Sequence, residues 1–126
     1  MRFTTPRGEV AFEIPDEWWE FVVVNDLPFN HPHFFLYDSE AYPDAAVIHL
    51  ANIEPPRRSA GVEAFKKYKL VPVLLAFWSP EYSLAPINLK TSSNRKYKFQ
   101  LVSGFHRYYA AIAVGYSMIP AIVQNG

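Results

Sequence analysis

The segment from Lys96 to Gly115 constrains the fold most, because its residues change abruptly from strand-forming to helix-forming types at Ser103-Gly104. Residues 96–102 are rich in β-branched and aromatic side chains, which favour a strand. A run of good helix formers follows the glycine and stops at Gly115, a residue typical of helix C-termini. The sequence therefore predicts a strand that turns directly into a helix, through a turn so short that it aims the first helical amides outward.

The residues of this turn suit an anion. The first amides of a helix lack intrahelical partners and lie at the positive end of its dipole. Gly104 carries no side chain that would keep a ligand from the backbone, and His106 and Arg107 add donors in the first turn. A cation at this position interacts unfavourably with the helix dipole, unless a bound anion compensates for the repulsion. In the alternative interpretation, Arg107 pairs with an acidic side chain and His106 simply caps the turn.

Length and composition indicate a single domain. The chain has 126 residues, of which 50% are hydrophobic and 17% aromatic, so it can bury a sizeable core. No apolar run is long enough to span a membrane, and the N-terminus lacks the apolar stretch of a signal peptide. The absence of cysteine excludes disulfides, thiolate metal sites and cysteine catalysis. We therefore expect a cytoplasmic protein without a membrane partner.

The formal net charge is zero, yet the charges are strongly segregated along the chain. Residues 1–54 hold ten acidic and two basic residues, which gives a net charge of −8. Residues 55–126 hold two acidic and ten basic residues, which gives +8. A ligand that carries phosphate should therefore bind to the basic half, although the two halves could also neutralise each other across an internal interface.

Periodicity and turn residues predict a small mixed sheet with flanking helices, an α/β (α+β) architecture. We expect residues 1–46 to form a strand–helix extension that packs on a core domain of residues 47–126. The expected strands cover 8–15, 33–37, 47–53, 86–90, 96–102 and 119–124. The expected helices cover 17–22, 60–70, a short helix opened by Pro72 that ends before Pro80, and the helix between Gly104 and Gly115.

Several of these segments together resemble the ParB-like/sulfiredoxin superfamily, over about residues 47–124. The most specific part is Ser103-Gly104-Phe105-His106-Arg107-Tyr108, preceded by the strand pattern Pro86-Ile87-Asn88-Leu89. Upstream, Ile53-Glu54-Pro55-Pro56-Arg57-Arg58 is similar to the first box of the family. The resemblance implies a ParB/sulfiredoxin-like single domain that binds a nucleoside triphosphate, ATP or CTP, with Mg²⁺ as a candidate companion.

The same resemblance implies which residues hold the nucleotide. The phosphate contacts would be Ser103, Gly104, His106 and Arg107, and a second positive contact would come from Arg57 or Arg58. For hydrolysis or phosphoryl transfer the candidate catalytic carboxylate is Glu54, which could instead merely pair with one of those arginines.

Two departures from the family narrow the function. Sulfiredoxins have a catalytic cysteine where this chain has Phe105, so sulfinic acid reduction is excluded. Partition ParB proteins continue into a helical DNA-binding segment, whereas this sequence stops at Gly126, so we do not expect centromere binding. What remains is nucleotide binding, with or without turnover on an acceptor, because a shared fold does not transfer a reaction.

Two other functions stay open at this point. Basic residues interleaved with aromatic ones could bind nucleic acid, as in a DNA-binding or nuclease-type member of the superfamily. They occur in two runs: Lys66, Lys67, Tyr68 and Lys69, and then Lys90, Arg95, Lys96, Tyr97, Lys98 and Phe99. In the second run the aromatic residues alternate with the lysines and so should face the core.

The other open function is that of a catalytically inactive adaptor. Its acidic N-terminal half would contact a protein partner or a second copy of the chain. Trp18 and Trp19 are adjacent on a predicted helix and point about 100° apart, so both cannot face one core. No spacing among the histidines and aspartates between residues 31 and 49 matches a known metal site, so we predict none.

Overall fold

The computed structural model describes residues 2–19, 33–56, 65–78 and 83–124. The strands are β1 (Arg2–Thr4), β2 (Ala11–Glu13), β3 (Ala46–His49), β4 (Ile53–Glu54), β5 (Ile87–Thr91), β6 (Phe99–Ser103) and β7 (Met118–Gln124). The α-helices are α1 (Lys67–Phe77) and α2 (Phe105–Val114), and short 3-10 helices cover Asp16–Trp19 and Leu50–Asn52. The predicted α/β fold class is confirmed.

Five of the strands form one mixed sheet in the order β3-β7-β5-β6-β4, and β1 and β2 pair as a separate hairpin. The strands predicted over 86–90 and 96–102 correspond to β5 and β6, which pair as an antiparallel hairpin. Helix α2 connects β6 to β7, which lies parallel to β5 in the middle of the sheet. Strand β4 runs parallel to β6 at one edge. The chain therefore reaches the start of α2 directly from an inner strand of the sheet.

The strand predicted over residues 47–53 is wrong in its middle. Strand β3 pairs with β7 at one edge of the sheet, whereas β4 pairs with β6 at the opposite edge. A 3-10 turn between them buries both Leu50 and Ile53, each 1% exposed. Residues three apart share a face in a 3-10 turn but lie on opposite faces of a strand, so burial of this pair favours the turn.

The strand predicted over residues 33–37 is also wrong, because these residues pair with no other strand in the described part of the chain. Isolated backbone bonds hold the segment instead: Met118 N–H donates to the His33 carbonyl and Leu84 N–H to the Leu36 carbonyl. Phe35 enters the core and stacks on Phe77, with ring centroids 5.9 Å apart. One buried aromatic residue fixes this segment without a strand.

Helix α1 continues through Pro72, where we had predicted that a second helix begins. Proline removes one backbone hydrogen bond from a helix, which normally bends or ends it. Here Pro72 and Tyr68, whose carbonyl loses its partner, both lie on the exposed side of the helix. Water can therefore satisfy that carbonyl, and Leu70, Val73, Leu74 and Phe77 keep the other side in the core. Of the helix predicted over 60–70, residues 60–64 lie outside the described residues, Phe65 and Lys66 precede α1, and residues 67–70 form its first turn.

The N-terminal part packs against the same core. Strand β2 lies within the strand predicted over 8–15 and pairs with β1, which we did not predict. Phe12 stacks on Phe3 at 5.4 Å and meets the edge of Tyr109 in α2 at 4.8 Å. The predicted helix over 17–22 begins as the 3-10 turn ending at Trp19, and its remainder lies outside the described residues. Aromatic contacts thus join this hairpin to α2.

Candidate functional site

The predicted strand–turn–helix is present at the end of β6. The strand ends at Ser103, and Gly104 adopts a left-handed conformation with φ 105° and ψ 29°. The helix begins at the next residue, and Tyr108 N–H donates to the Gly104 carbonyl at 2.9 Å. The N-cap residue Gly104 has no side chain to cap the first amides of α2, and the first turn of this helix contains no acidic residue. The turn therefore presents the positive end of a ten-residue helix.

Gly104 is required by its backbone angle and by a close neighbour. A Cβ placed there would lie 2.5 Å from Ile87 Cγ2 and 3.2 Å from the Arg107 guanidinium. The space that a side chain would need is thus filled by strand β5. Packing accounts for this glycine without a ligand, and its predicted contact with phosphate stays a prediction.

Arg107 lies in the first turn of α2 with its guanidinium half-buried. One terminal nitrogen donates to the Ala85 carbonyl at 2.8 Å, which fixes the side chain against the segment that leads into β5. Burial lowers the pKa of the guanidinium, and the nearby Tyr42 phenol acts in the opposite direction. Within the described ranges no carboxylate pairs with Arg107, so the acidic partner of the alternative interpretation is not found there.

His106 connects the starts of the two helices. Its Nε2 accepts a hydrogen bond of 3.2 Å from the backbone N–H of Lys66, the residue that precedes α1. The ring also lies near Phe105 and Phe65, at centroid distances of 5.3 and 6.0 Å. The first turn of α1, like that of α2, has no acidic residue. Two positive helix ends therefore lie side by side, with Lys66 and Arg107 nearby.

Ser103 lies at the exposed end of β6. Its hydroxyl accepts a hydrogen bond of 2.8 Å from the side-chain amide of Asn88 on the neighbouring strand β5. The two residues face each other across the β5–β6 ladder. This contact holds the hydroxyl at the mouth of the turn, where its own hydrogen can still be donated.

Glu54 belongs to a different network. One carboxylate oxygen accepts a hydrogen bond of 2.9 Å from the Ser92 hydroxyl, and the other accepts one of 3.4 Å from the Asn94 amide. The backbone N–H of Asn94 in turn donates to the Ser92 hydroxyl at 3.0 Å. The carboxylate thus organises the loop between β5 and β6. Its predicted catalytic role stays a prediction.

The sheet register separates Glu54 from the turn. Glu54 lies opposite Gln100, three residues before Ser103, which corresponds to about 10 Å along the strand. It lines a shallow cleft of about 270 Å³ together with Pro55, Pro56, Gln100 and Leu101. The predicted Arg57 and Arg58 lie outside the described residues. The last described residue before them is Pro56, whose carbonyl accepts a hydrogen bond of 3.2 Å from Tyr109 in α2.

The structure thus brings together four of the seven predicted site residues: Ser103, Gly104, His106 and Arg107. Three residues that position them were not predicted from the sequence, namely Ala85, Asn88 and Lys66. Asn88 follows the Pro86-Ile87 pattern and could have been found from the hairpin register. The roles of Ala85 and Lys66 depend on backbone groups, so their side-chain types give no signal.

The described residues contain no cluster of histidine, aspartate or glutamate side chains suited to a metal ion. Trp18 packs against the core cluster, while the side chain of Trp19 lies outside the described part. A partner or homodimer contact through this pair therefore stays a prediction. Neither helix, nor any other in the described ranges, is long and apolar enough to cross a membrane.

The described fold is similar to solved structures of two kinds. A C-terminally truncated chromosome-partitioning protein ParB from Caulobacter crescentus, complexed with CTP-γ-S, matches with a TM-score of 0.49 at 21% identity. The match covers 65% of this chain and 44% of that one. Sulfiredoxin from Arabidopsis thaliana matches with a TM-score of 0.49 at 20% identity, covering 65% of this chain and 85% of the sulfiredoxin.

The Caulobacter ParB complexed to the centromeric parS site matches with a TM-score of 0.45 at 23% identity, over 64% of this chain and 38% of that one. This chain spans less than half the length of the ParB structures. No protein-family model matches the sequence, and no curated protein matches it significantly.

Proposed function

We propose that this protein binds a nucleoside triphosphate whose phosphates lie at the turn from Ser103 to Arg107. The observation that carries the proposal is the burial of Arg107 together with its hydrogen-bond partner. Its guanidinium is half-buried in the first turn of a helix, and in the described part of the chain its partner is a neutral carbonyl. A desolvated cation at the positive end of a dipole is unfavourable unless an anion binds beside it.

The surroundings of Arg107 add to this argument. Lys66 and the starts of both helices lie on the same side of the molecule, joined by the His106 hydrogen bond. Neither first turn contains an acidic residue that would repel phosphate. Backbone amides at a helix start together with an arginine fork are a recurrent arrangement for phosphate. The triphosphate, with up to four negative charges, is the ligand that this arrangement fits best.

Two nucleotides are the first candidates. The Caulobacter ParB of the comparison holds a CTP analogue, and the sequence resemblance also implies ATP. Mg²⁺ would be bound by the phosphates themselves with few protein ligands, since this ion keeps much of its water shell. Because Glu54 already binds residues of the β5–β6 loop, we propose nucleotide binding alone for the turn from Ser103 to Arg107. A role of Glu54 in turnover is tested separately, by substituting that residue.

The proposal is tested by thermal unfolding with ATP, CTP, GTP and their diphosphates, each with and without Mg²⁺. A nucleotide present at a hundred times its Kd should stabilise the fold by about 2.7 kcal/mol, a shift of several degrees for a domain of this size. Arg107→Gln should abolish that shift, because the mutant loses the charge that balances the phosphates. Unfolding of the ligand-free variant by urea verifies that it still folds.

The matched control is Arg95→Gln, which removes the same charge from an exposed position in the β5–β6 loop. This variant should bind like the wild type. An equal loss in both variants would reduce the effect to general electrostatic attraction and overturn the assignment to the turn. Flat curves with every nucleotide would overturn nucleotide binding itself, and the adaptor hypothesis would then be pursued by partner capture.

A further inference from the structure

The two basic runs of the sequence differ in the structure, because only one of them displays its aromatic ring. In the run between β5 and β6, Tyr97 is 6% exposed and lies beneath the Arg7 guanidinium, 4.5 Å from the ring centroid. Phe99 also packs against the core, as predicted. In the other run Tyr68 is 71% exposed in the first turn of α1. We call residues 66–69 the α1 patch.

The α1 patch combines this ring with three cations. Lys66, Lys67 and Lys69 are all exposed, and the ammonium of Lys66 lies 6.0 Å from the centroid of the Tyr68 ring. No acidic residue lies in the first turn of the helix. Lysines at a helix start oppose the dipole and destabilise the helix slightly, whereas acidic residues would stabilise it. The placement is therefore better suited to binding an anion than to forming the helix.

We propose that the α1 patch binds single-stranded nucleic acid, with phosphates on the lysines and one base stacked on Tyr68. Stacking platforms surrounded by cations are the common solution for single strands, and they tolerate many sequences because every base has a π-face. An acidic peptide would use the lysines but would gain little from an open aromatic face. A duplex keeps its base faces stacked inside, so Tyr68 would have no base to meet.

The test is fluorescence anisotropy of a labelled single-stranded oligodeoxythymidylate of about twelve nucleotides, a length within the usual site size for such surfaces. Tyr68→Ala should weaken binding at least about fivefold, the lower end of what one stacked base contributes. Tyr68→Phe should bind like the wild type, because the phenyl ring stacks equally well. Wild-type affinity in Tyr68→Ala would overturn the proposal.

The lysines are tested through the salt dependence. Each phosphate contact in a single strand adds about 0.7 to the slope of log affinity against log salt, so Lys67→Gln should reduce the slope by about that amount. The matched control is Lys98→Gln, an exposed lysine in the other run, which should leave affinity and slope unchanged. An equal effect of both substitutions would show general attraction to a basic surface and would also overturn the proposal.

Two further arms separate this inference from its alternatives and from nucleotide binding. Polyglutamate of matched charge should compete poorly with the oligonucleotide, and competition at equal charge would indicate an acidic protein partner instead. A duplex of the same length should bind more weakly than the single strand, and tighter duplex binding contradicts stacking on Tyr68. Arg107→Gln should abolish the nucleotide-dependent shift in thermal unfolding yet retain most of the affinity for the oligonucleotide. The two proposals can therefore fail independently of each other.

Discussion

A charged side chain lies near each end of strand β6, and the two side chains differ in their surroundings. At its start, Glu54 on the neighbouring strand accepts hydrogen bonds from Ser92 and Asn94, so each of its carboxylate oxygens has a partner in the protein. At its end, Arg107 donates to a backbone carbonyl and meets no carboxylate in the part of the chain that the structure describes. Both charged groups bind neutral partners, but only Arg107 lies in the first turn of a helix, where its positive charge opposes the helix dipole.

The difference indicates where a ligand can bind. A charged group whose partners come from the fold contributes to a loop, and adding a ligand there would require breaking those bonds. A half-buried cation without a counter-charge gains from an incoming anion instead. The end of β6 is therefore favoured as the binding site, and its start as part of the scaffold.

The largest effect is expected from Gly104→Ala. The new Cβ would lie 2.5 Å from Ile87 Cγ2, and the residue would be held at a φ of +105°. A left-handed residue other than glycine costs about 1–2 kcal/mol, and overpacking costs about 1–3 kcal/mol more. We expect the free energy of unfolding in urea to fall by about 3 kcal/mol.

The control for this prediction is Gly115→Ala at the end of α2. Its φ of +94° is similar, but nothing lies within 4 Å of the added Cβ, so only the backbone cost of about 1–2 kcal/mol remains. The difference between the two variants measures the packing of the turn on β5. Equal losses would show that Ile87 yields easily and that Gly104 is kept for its backbone angle or for a ligand.

An intermediate effect is expected from Glu54→Ala. The substitution leaves the Ser92 hydroxyl and the Asn94 amide without their part-buried acceptor, and we expect a loss of about 1–2 kcal/mol in urea unfolding. The nucleotide-dependent thermal shift should be unchanged, because the carboxylate lies at the other end of β6. Glu40→Ala is the exposed control and should stay within about 0.5 kcal/mol of the wild type.

Glu54→Gln separates structure from chemistry at the same position. The amide keeps the shape and one of the two acceptor oxygens, so the loss of stability should be smaller than in Glu54→Ala. Should the wild type release phosphate from a bound triphosphate, a scaffold role predicts that Glu54→Gln does so too. Loss of phosphate release with a retained fold and unchanged nucleotide affinity would establish the catalytic role of Glu54 and contradict a scaffold role for it.

The smallest effect on stability is expected from Ser103→Ala. Its hydroxyl accepts an exposed hydrogen bond from Asn88, so urea unfolding should change by less than about 0.5 kcal/mol. If the hydroxyl also contacts phosphate, the Kd for the nucleotide should rise severalfold in a titration. Ser93→Ala, exposed in the β5–β6 loop, is the control and should alter neither quantity. An unchanged Kd in Ser103→Ala would remove this residue from the site.

The sequence predicted the strand–turn–helix well but not what surrounds it. The boundaries of α2 and its C-terminal glycine follow from residues adjacent in the chain, and the structure confirms them. Residues 47–53 were predicted as one strand, yet this part of the chain contributes strands to both edges of the sheet, because burial of Leu50 and Ile53 favours a turn between them. Alternation of apolar residues reports a local period and cannot report which edge a strand joins.

What the sequence determined by itself is local: the turn at Ser103-Gly104, the helix that follows it, and the charges available in each half of the chain. These depend on backbone preferences and on composition, which act over a few residues or need no geometry. Only the tertiary structure decided that Arg107 meets Ala85, 22 residues away, and that His106 meets Lys66, 40 residues away. It also decided that Tyr68 is exposed while Tyr97 is buried, since burial depends on which layer covers a residue, and that layer comes from distant parts of the chain.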